Sequence, residues 1–420
     1  MISSISKKWW FKWLLVGVLI RLILMPITFH PDLWGHSSVA YFFAYQGEVN
    51  IYEYLAKLPS EHPLVKSMGV ADIFIYPPLT YFTLGVFRLL VKPFADPNFM
   101  PMIWQGFPQA LTYPNLHWHL FLYKLPYLFV DILTAFVFAA LFDAKKKKLA
   151  FAFWIFNPLS LYATFMVGQL DLLPTLFTIL ALYFFQKKKF LWAAFSLGLG
   201  AGYKFFPLLL LLPLAFLSSK ELKERVKVFL IGIATFVASI LPFLGSPAFR
   251  QMVLFSPKSQ KVLFMGLNVS GAEVIYPFVL LLAFIYLHAY YAKKKLELEG
   301  YFLTILLLIF AVTHYHPQWF LWASPFLFLH LINKNMKYLA LSISLFASWF
   351  FLTLLFESSL SYGLFSPIFP ELKDAPNLDV IMGKYTNIFQ LKSLIRSYFA
   401  GASLFLVYNL FKRSSASSTT

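Results

Sequence analysis

The chain has 420 residues, of which 60% are hydrophobic types and 13% charged, with a mean hydropathy of +0.69. Soluble domains carry about 45–50% apolar and about 25% charged residues, so a soluble enzyme and a disordered chain are both excluded. What remains is an all-α polytopic membrane protein; its formal net charge is +17, and the lack of cysteine removes disulfides and thiolate metal sites.

The first apolar stretch, 9–27, follows Lys7 and Lys8 and is too long for a signal-peptide core. It is expected to stay as a first helix with its N-terminus inside. A polar loop over 28–72 follows, then a less clear crossing at 73–91 and a second loop over 92–116. Crossings are predicted at 119–142, 149–167 and 171–186, and 190–217 reads as a pair of short helices. Further crossings fall at 226–244, 273–292, 301–314, 318–332, 338–357 and 390–411, with polar loops at 245–272 and 358–389. The total is about 12 or 13 transmembrane helices, each needing about 20 residues.

Basic runs lie just beyond the apolar stretches: Lys7-Lys8, Lys145 to Lys148, Lys187 to Lys189, Lys220 to Lys227, Lys293 to Lys295, Lys334 to Lys337, and Lys412-Arg413. Such runs mark cytoplasmic helix ends. The positive charge is therefore a matter of topology, and no nucleic-acid partner is expected. The runs put loops 28–72, 168–171, 245–272, 314–318 and 358–389 on the outer face. An even number of crossings must then lie between residue 72 and the start of 119–142. Either 73–91 only dips into the membrane, or Asn98 to Asn115 supplies a return crossing.

The 190–217 stretch must go out and come back between two inner lysine runs. Two helices of about 14 residues rise only about 21 Å each, against a hydrocarbon core of about 30 Å. The turn Gly202 to Pro207 therefore sits below the outer surface, where it must line a wet cavity or be buried in protein. Lys204 belongs at the floor or wall of that depression. Gly198 to Gly202 is read as small-residue helix packing and not as a phosphate loop.

Ionisable residues inside membrane helices are costly and by default functional. Arg21 lies in the first helix. Lys124 and Asp131 lie seven residues apart, on one helix face. Arg21 and Asp131 suit a structural or site-supporting ion pair. Asp171 follows Gly168-Gln169-Leu170 and suits an N-cap. His314, His316 and Gln318 lie between two helices, and Lys204 suits a phosphate as a point charge. Asp32 stands five residues beyond the first crossing, between His30 and His36, where aromatic surroundings suggest a general base with a raised pKa. His30, Asp32, His36, His314 and His316 show no metal-ligand spacing, so no metal site is expected.

Seven pieces occur in order: Asp32; Gly47-Glu48-Val49-Asn50-Ile51-Tyr52; Tyr76-Pro77-Pro78-Leu79; Lys124 to Phe136, including Asp131; Asn157-Pro158-Leu159 with Gly168-Gln169-Leu170-Asp171; Tyr203-Lys204-Phe205-Phe206-Pro207; and His316-Pro317-Gln318-Trp319-Phe320-Leu321-Trp322. Together, over about residues 13–332, they resemble the GT-C superfamily of polyprenyl-phosphate-sugar-dependent glycosyltransferases. More narrowly, they resemble the GPI mannosyltransferase I catalytic-subunit family and its prokaryotic relatives.

The resemblance implies a single transmembrane glycosyltransferase domain over 1–420, with 1–217 as the catalytic-module half and 218–420 as the more variable acceptor side. It implies inverting transfer of a sugar, mannose in such families, from a polyprenyl-phosphate sugar to a glycan, glycolipid or protein hydroxyl on the outer face. Asp32 would be the base, and Lys204, assisted by Lys124 or His316, would hold the leaving phosphate. Gln169, Asp171, Gln318, His30, His36 and Tyr76 would bind or orient the sugar. The family's paired acid in the first loop is absent here, since His30 and Trp34 flank Asp32, so no cofactor is required and a divalent metal is not favoured. The protein would be integral to the plasma membrane in a prokaryote or the endoplasmic reticulum in a eukaryote. A transporter or lipid-linked-glycan flippase would use the same charges, but no internal repeat is visible. An O-antigen ligase or polymerase ranks third, because its large outer loop is usually rich in Arg and His, and 358–389 contains neither.

Overall fold

The computed structural model describes residues 8–416 except Tyr315; Lys7 of the first basic run and the side chains of Ala71, Ser259 and 413–416 lie outside the description. The described chain is mostly helical, with one hairpin of two-residue strands pairing Leu267–Asn268 with Val274–Ile275.

The first helix, α1 (Phe11–Ile27), stops where Thr28 takes an extended conformation. The axis then turns by 89° into a second helix, α2 (Asp32–Tyr41), which widens into a π-type turn ending at Gly47 with φ 74°. The expected polar loop over 28–72 is thus largely helical. Leu33 to Ala40 are all buried, because α2 lies on the bundle and not in solvent.

The next helix, α3 (Pro78–Val91), runs alongside α2. Gly85 makes that approach possible, since a Cβ there would come within 2.3 Å of the Phe43 ring. The far end of α3 meets the first turn of α4 (Leu116–Ala139): the Trp118 indole donates to the Phe94 carbonyl at 2.9 Å, and the Asp96 amide donates to His119 Nε2 at 3.0 Å. Residues Phe99–Trp104 and Phe107–Leu111 form helices of 6 and 5 residues parted by Gly106, too short for a return crossing. Asn98 to Asn115 therefore supply no return crossing.

The rest of the chain packs as α5 (Ala144–Met166, broken at Asn157), α6 (Leu172–Gln186), α7 (Phe190–Ala201), α8 (Phe206–Ser218), α9 (Leu222–Phe243), α10 (Pro277–Tyr291), α11 (Leu298–Val312), α12 (Ser324–Asn333, led in by a 3-10 turn Pro317–Trp322), α13 (Leu339–Leu354) and α14 (Ile388–Ala416). Four of these, α4, α5, α9 and α14, are each long and apolar enough to cross a membrane alone. Several others have only 12 to 16 residues, so the crossings expected from hydropathy are not all of full length. The short pair over 190–217 is present as α7 and α8. α7 sits between α6 and α9, and a Cβ on Gly198 would come within 2.4 Å of the Gly232 carbonyl, which supports the small-residue packing reading.

Leu298 and the run Tyr301 to Ala311 of α11 are buried, so this helix forms the apolar centre. By contrast, Leu15, Leu19 and Ile23 of α1, Phe129 and Leu133 of α4, and Leu280, Phe284 and Leu287 of α10 are exposed. Large apolar side chains exposed in such numbers suit lipid contact and not water. The chain is an all-α polytopic membrane protein.

Arg21 and Asp131 pair at 2.6 Å with neither side chain exposed. Arg21 also donates to the carbonyls of Gly17 and Ile155 at 2.8 Å, and the second Asp131 oxygen accepts from Trp154 at 2.9 Å and Ser160 at 2.8 Å. The pair clamps α1, α4 and α5 together. Its ligands are all internal, which fits the structural reading.

Candidate functional site

Asp32 opens α2, where the helix dipole favours a carboxylate. The Asp32 amide donates to His30 Nδ1 at 3.0 Å, which holds that imidazole 3.6 Å from the carboxylate. The Gln169 amide donates to the same carboxylate from the segment between α5 and α6. The Asp32 side chain is still 39% exposed, so one edge is open to a ligand. Burial alone would raise its pKa. His30, His36 and the Gln169 hydrogen bond outweigh burial, and the carboxyl lies below its ordinary value. The raised pKa expected from the sequence is therefore corrected. Burial pushes His30 down and His36 down to about 4, so both imidazoles are neutral near pH 7.

Lys204 lies in the turn between α7 and α8, nearly buried, and donates to Asp171 at 2.7 Å. The Trp322 indole donates to the same oxygen at 2.6 Å, and the other Asp171 oxygen has no hydrogen-bond partner among the described residues. Asp171 precedes α6 but makes no side-chain cap, so the N-cap reading is also corrected: its carboxylate turns inward to Lys204. The rings of Tyr76, Trp322 and Trp319 surround the ammonium at 5.0, 5.5 and 5.8 Å. Lys204 is thus a caged cation with a resident counterion.

Lys124 has a different setting. It is fully buried, and its ammonium donates to the Met25 carbonyl at 3.2 Å, the Thr28 carbonyl at 2.6 Å, the Thr28 hydroxyl at 3.0 Å and the Met166 carbonyl at 3.1 Å. Those contacts tie the end of α1 to the end of α5. Nothing about them directs Lys124 toward a ligand.

A cavity of about 310 Å³ opens beside Asp32. His30, His36, Tyr76, His316, Gln318 and Trp319 line it, which brings half of the candidate residues, Asp32 included, into one place; Lys204, Lys124, Gln169 and Asp171 are not among its lining residues. The volume is near the lower end of the roughly 300–1,000 Å³ found for small-molecule sites. Four further lining residues were not singled out in the sequence: Asp72, Lys258, Lys261 and Glu357. Lys258 pairs with Asp72. Lys261 donates to His316 Nε2 at 2.8 Å and rides over the Trp319 ring at 5.5 Å. Burial lowers His316 to about 3, so it is a neutral acceptor for Lys261 and not a second cation. A signal for the two lysines does exist in the sequence, since lysines are depleted in loops away from the cytoplasmic side. Among the described residues, no three His, Asp or Glu side chains group closely enough to hold a metal ion.

Residues 82–255 match the family described as GPI transamidase subunit PIG-U. The match covers less than half of the chain. It includes Gln169, Asp171 and Lys204, the caged cation and its neighbours, along with the internal clamps Lys124 and Asp131. It leaves out Asp32, Tyr76, Lys261, His316 and Gln318, which come from either side of the matched stretch. No curated protein and no solved structure matches the chain.

Proposed function

We propose that the chain is a GT-C-like membrane glycosyltransferase that moves a sugar, mannose first among candidates, from a polyprenyl-phosphate sugar to an acceptor hydroxyl. The observation that carries this reading is the partly exposed Asp32 carboxylate, held by Gln169 at the wall of a cavity that also has aromatic and lysine walls. In this reading the lysine runs mark the cytoplasmic ends, so the cavity faces outward. The acceptor is a glycan, glycolipid or protein that reaches the cavity from outside the bilayer. Residues 1–217 supply Asp32, Gln169, Asp171 and Lys204, and 218–420 supply Lys258, Lys261, His316 and Gln318.

The acceptor oxygen bonds to the anomeric carbon while its proton passes to an Asp32 oxygen. The bond from that carbon to the donor phosphate oxygen breaks, and the phosphate leaves with the electron pair. One displacement inverts the anomeric centre. Asp32 is ionised at neutral pH and needs no prior proton loss, which suits the role of base. The leaving group is a phosphomonoester, which needs cationic stabilisation more than an acid. Gln318 Oε1 and His36 Nδ1 are buried without partners among the described residues and suit sugar hydroxyls. Tyr76 and Trp319 supply ring faces for the sugar. Lys124 drops out of the phosphate set because its protons are spent on the main chain, and no metal enters the proposed step.

The test is transfer from polyprenyl-phosphate mannose by membranes that carry the wild-type or Asp32→Asn chain. Loss of transfer with normal insertion supports the assignment; retained turnover defeats it. A second reading, a non-catalytic subunit that holds a glycolipid, is favoured by the PIG-U likeness and by Asp171 already neutralising Lys204. It predicts glycolipid binding by the wild-type protein with no turnover from any donor.

A further inference from the structure

The cations around the cavity differ in what already neutralises them. Lys204 has Asp171, and Lys258 has Asp72. Lys261 is half-buried and has no carboxylate partner among the described residues; it rests on a neutral imidazole and an indole ring. An ammonium withdrawn from water without a counter-charge is unfavourable until an anion arrives.

Its position adds a second constraint. Lys261 sits on the 3-10 turn Pro257–Leu263, and the next residues, Phe264 and Met265, line a different cavity of about 530 Å³. That cleft runs between the ends of α11, α13 and α14, with Val312, Leu352 and Phe356 on its apolar wall and Lys392, Ser393 and Arg396 lining it from α14. The two spaces are neighbours: His314 lines the cleft, His316 lines the Asp32 cavity, and their rings lie 5.5 Å apart. From Asp32 outward the order is therefore polar cavity, uncompensated cation, apolar cleft.

An amphiphile with a polar head, one phosphate and an apolar tail matches that order. We propose that Lys261 seats the phosphate of the lipid donor, with the sugar in the Asp32 cavity and the prenyl chain in the cleft between α11, α13 and α14. The sugar's placement rests on the glycosyltransferase reading; the phosphate and chain seats can be tested without it. As the anomeric bond breaks, the phosphate passes from one negative charge to two, and the pull of Lys261 grows along the reaction. Lys204 does not line the Asp32 cavity and is already paired with Asp171, so it makes no direct contact with the phosphate. His316 is a positioning residue that aims the Lys261 amine.

The experiment uses the full chain in nanodiscs, with citronellyl phosphate and citronellol as probes and Trp fluorescence as the binding signal. The wild type is expected to bind the phosphate about tenfold or more tighter than the alcohol, the effect of one charge-assisted contact. Lys261→Met should erase that preference with unchanged affinity for the alcohol, and Lys261→Arg should restore it. Leu352→Asn should weaken both probes. A wild type with no phosphate preference, or a Lys261→Met variant that keeps it, overturns the proposal. The wild-type comparison stands even where a variant fails to fold. A phosphate preference that depends on Lys261, in a protein that transfers no sugar, would sink the glycosyltransferase reading and leave this seat intact.

Discussion

Replacing Asp171 with Asn tests whether Lys204 is a caged cation. Asp171 is fully buried and takes both Lys204 at 2.7 Å and the Trp322 indole at 2.6 Å on one oxygen. Without its charge, the Lys204 ammonium faces only three aromatic rings. A ring contact contributes about 0.5–2 kcal/mol, whereas breaking a buried ion pair costs about 3–5 kcal/mol. Asp171→Asn should therefore destabilise the protein by about 3 kcal/mol, and Lys204→Met by a similar amount, since it strands the carboxylate. The double variant should recover about 2 kcal/mol or more relative to the sum, because the unpaired charge disappears. The assay is thermal unfolding of the purified protein in detergent for all four members of the cycle. Strictly additive losses would mean that the two residues do not act as a pair, and the caged-cation account would fail.

Other expectations follow from the same geometry. His36 is held neutral down to about pH 4, whereas an unfolded histidine titrates near 6.5. Its contribution is full above pH 6.5 and falls with pH toward 4, so melting measured at pH 7 and pH 5 should show a loss of about 2 kcal/mol that His36→Asn reduces. Asp32 lies below its ordinary value, so transfer should hold as pH falls from 7 to 5; an acid limb centred near pH 6.5 would place the essential base elsewhere. Gly198→Val would push methyl groups into the Gly232 carbonyl and should cost at least about 1–3 kcal/mol, seen as a lower yield of monodisperse protein.

The membrane class was legible because composition is a global property, and some lysine runs fall between helices, Lys187 to Lys189 after α6 and Lys293 to Lys295 after α10, whereas Lys145 to Lys148 and Lys412 lie within α5 and α14. The length of 190–217 was also decisive: two short helices between lysine runs had to bury their turn, and Lys204 is indeed nearly buried there. Arg21 and Asp131 were visible as charges that lipid cannot tolerate, and they found each other across 110 residues. Other features were hidden for physical reasons. Asp-Leu-Trp-Gly-His-Ser-Ser from Asp32 onward is too polar and too rich in small residues to read as a buried helix, yet α2 is one. The direction of α3 depends on packing against α2, which charge counting does not register. Lys124 and Asp131 share a helix face, but each is satisfied by different neighbours far away in sequence. Lys261 sits in a stretch with no periodicity, and only the fold brings it to His316.

The most direct test is the rate of mannose transfer from polyprenyl-phosphate mannose by Asp32→Asn, beside wild type, at equal amounts of inserted protein. A positioned general base contributes about 10²–10⁴-fold, so the variant should fall by at least about a hundredfold while its affinity for citronellyl phosphate is unchanged. Turnover within about threefold of wild type, well short of that range, would contradict the account.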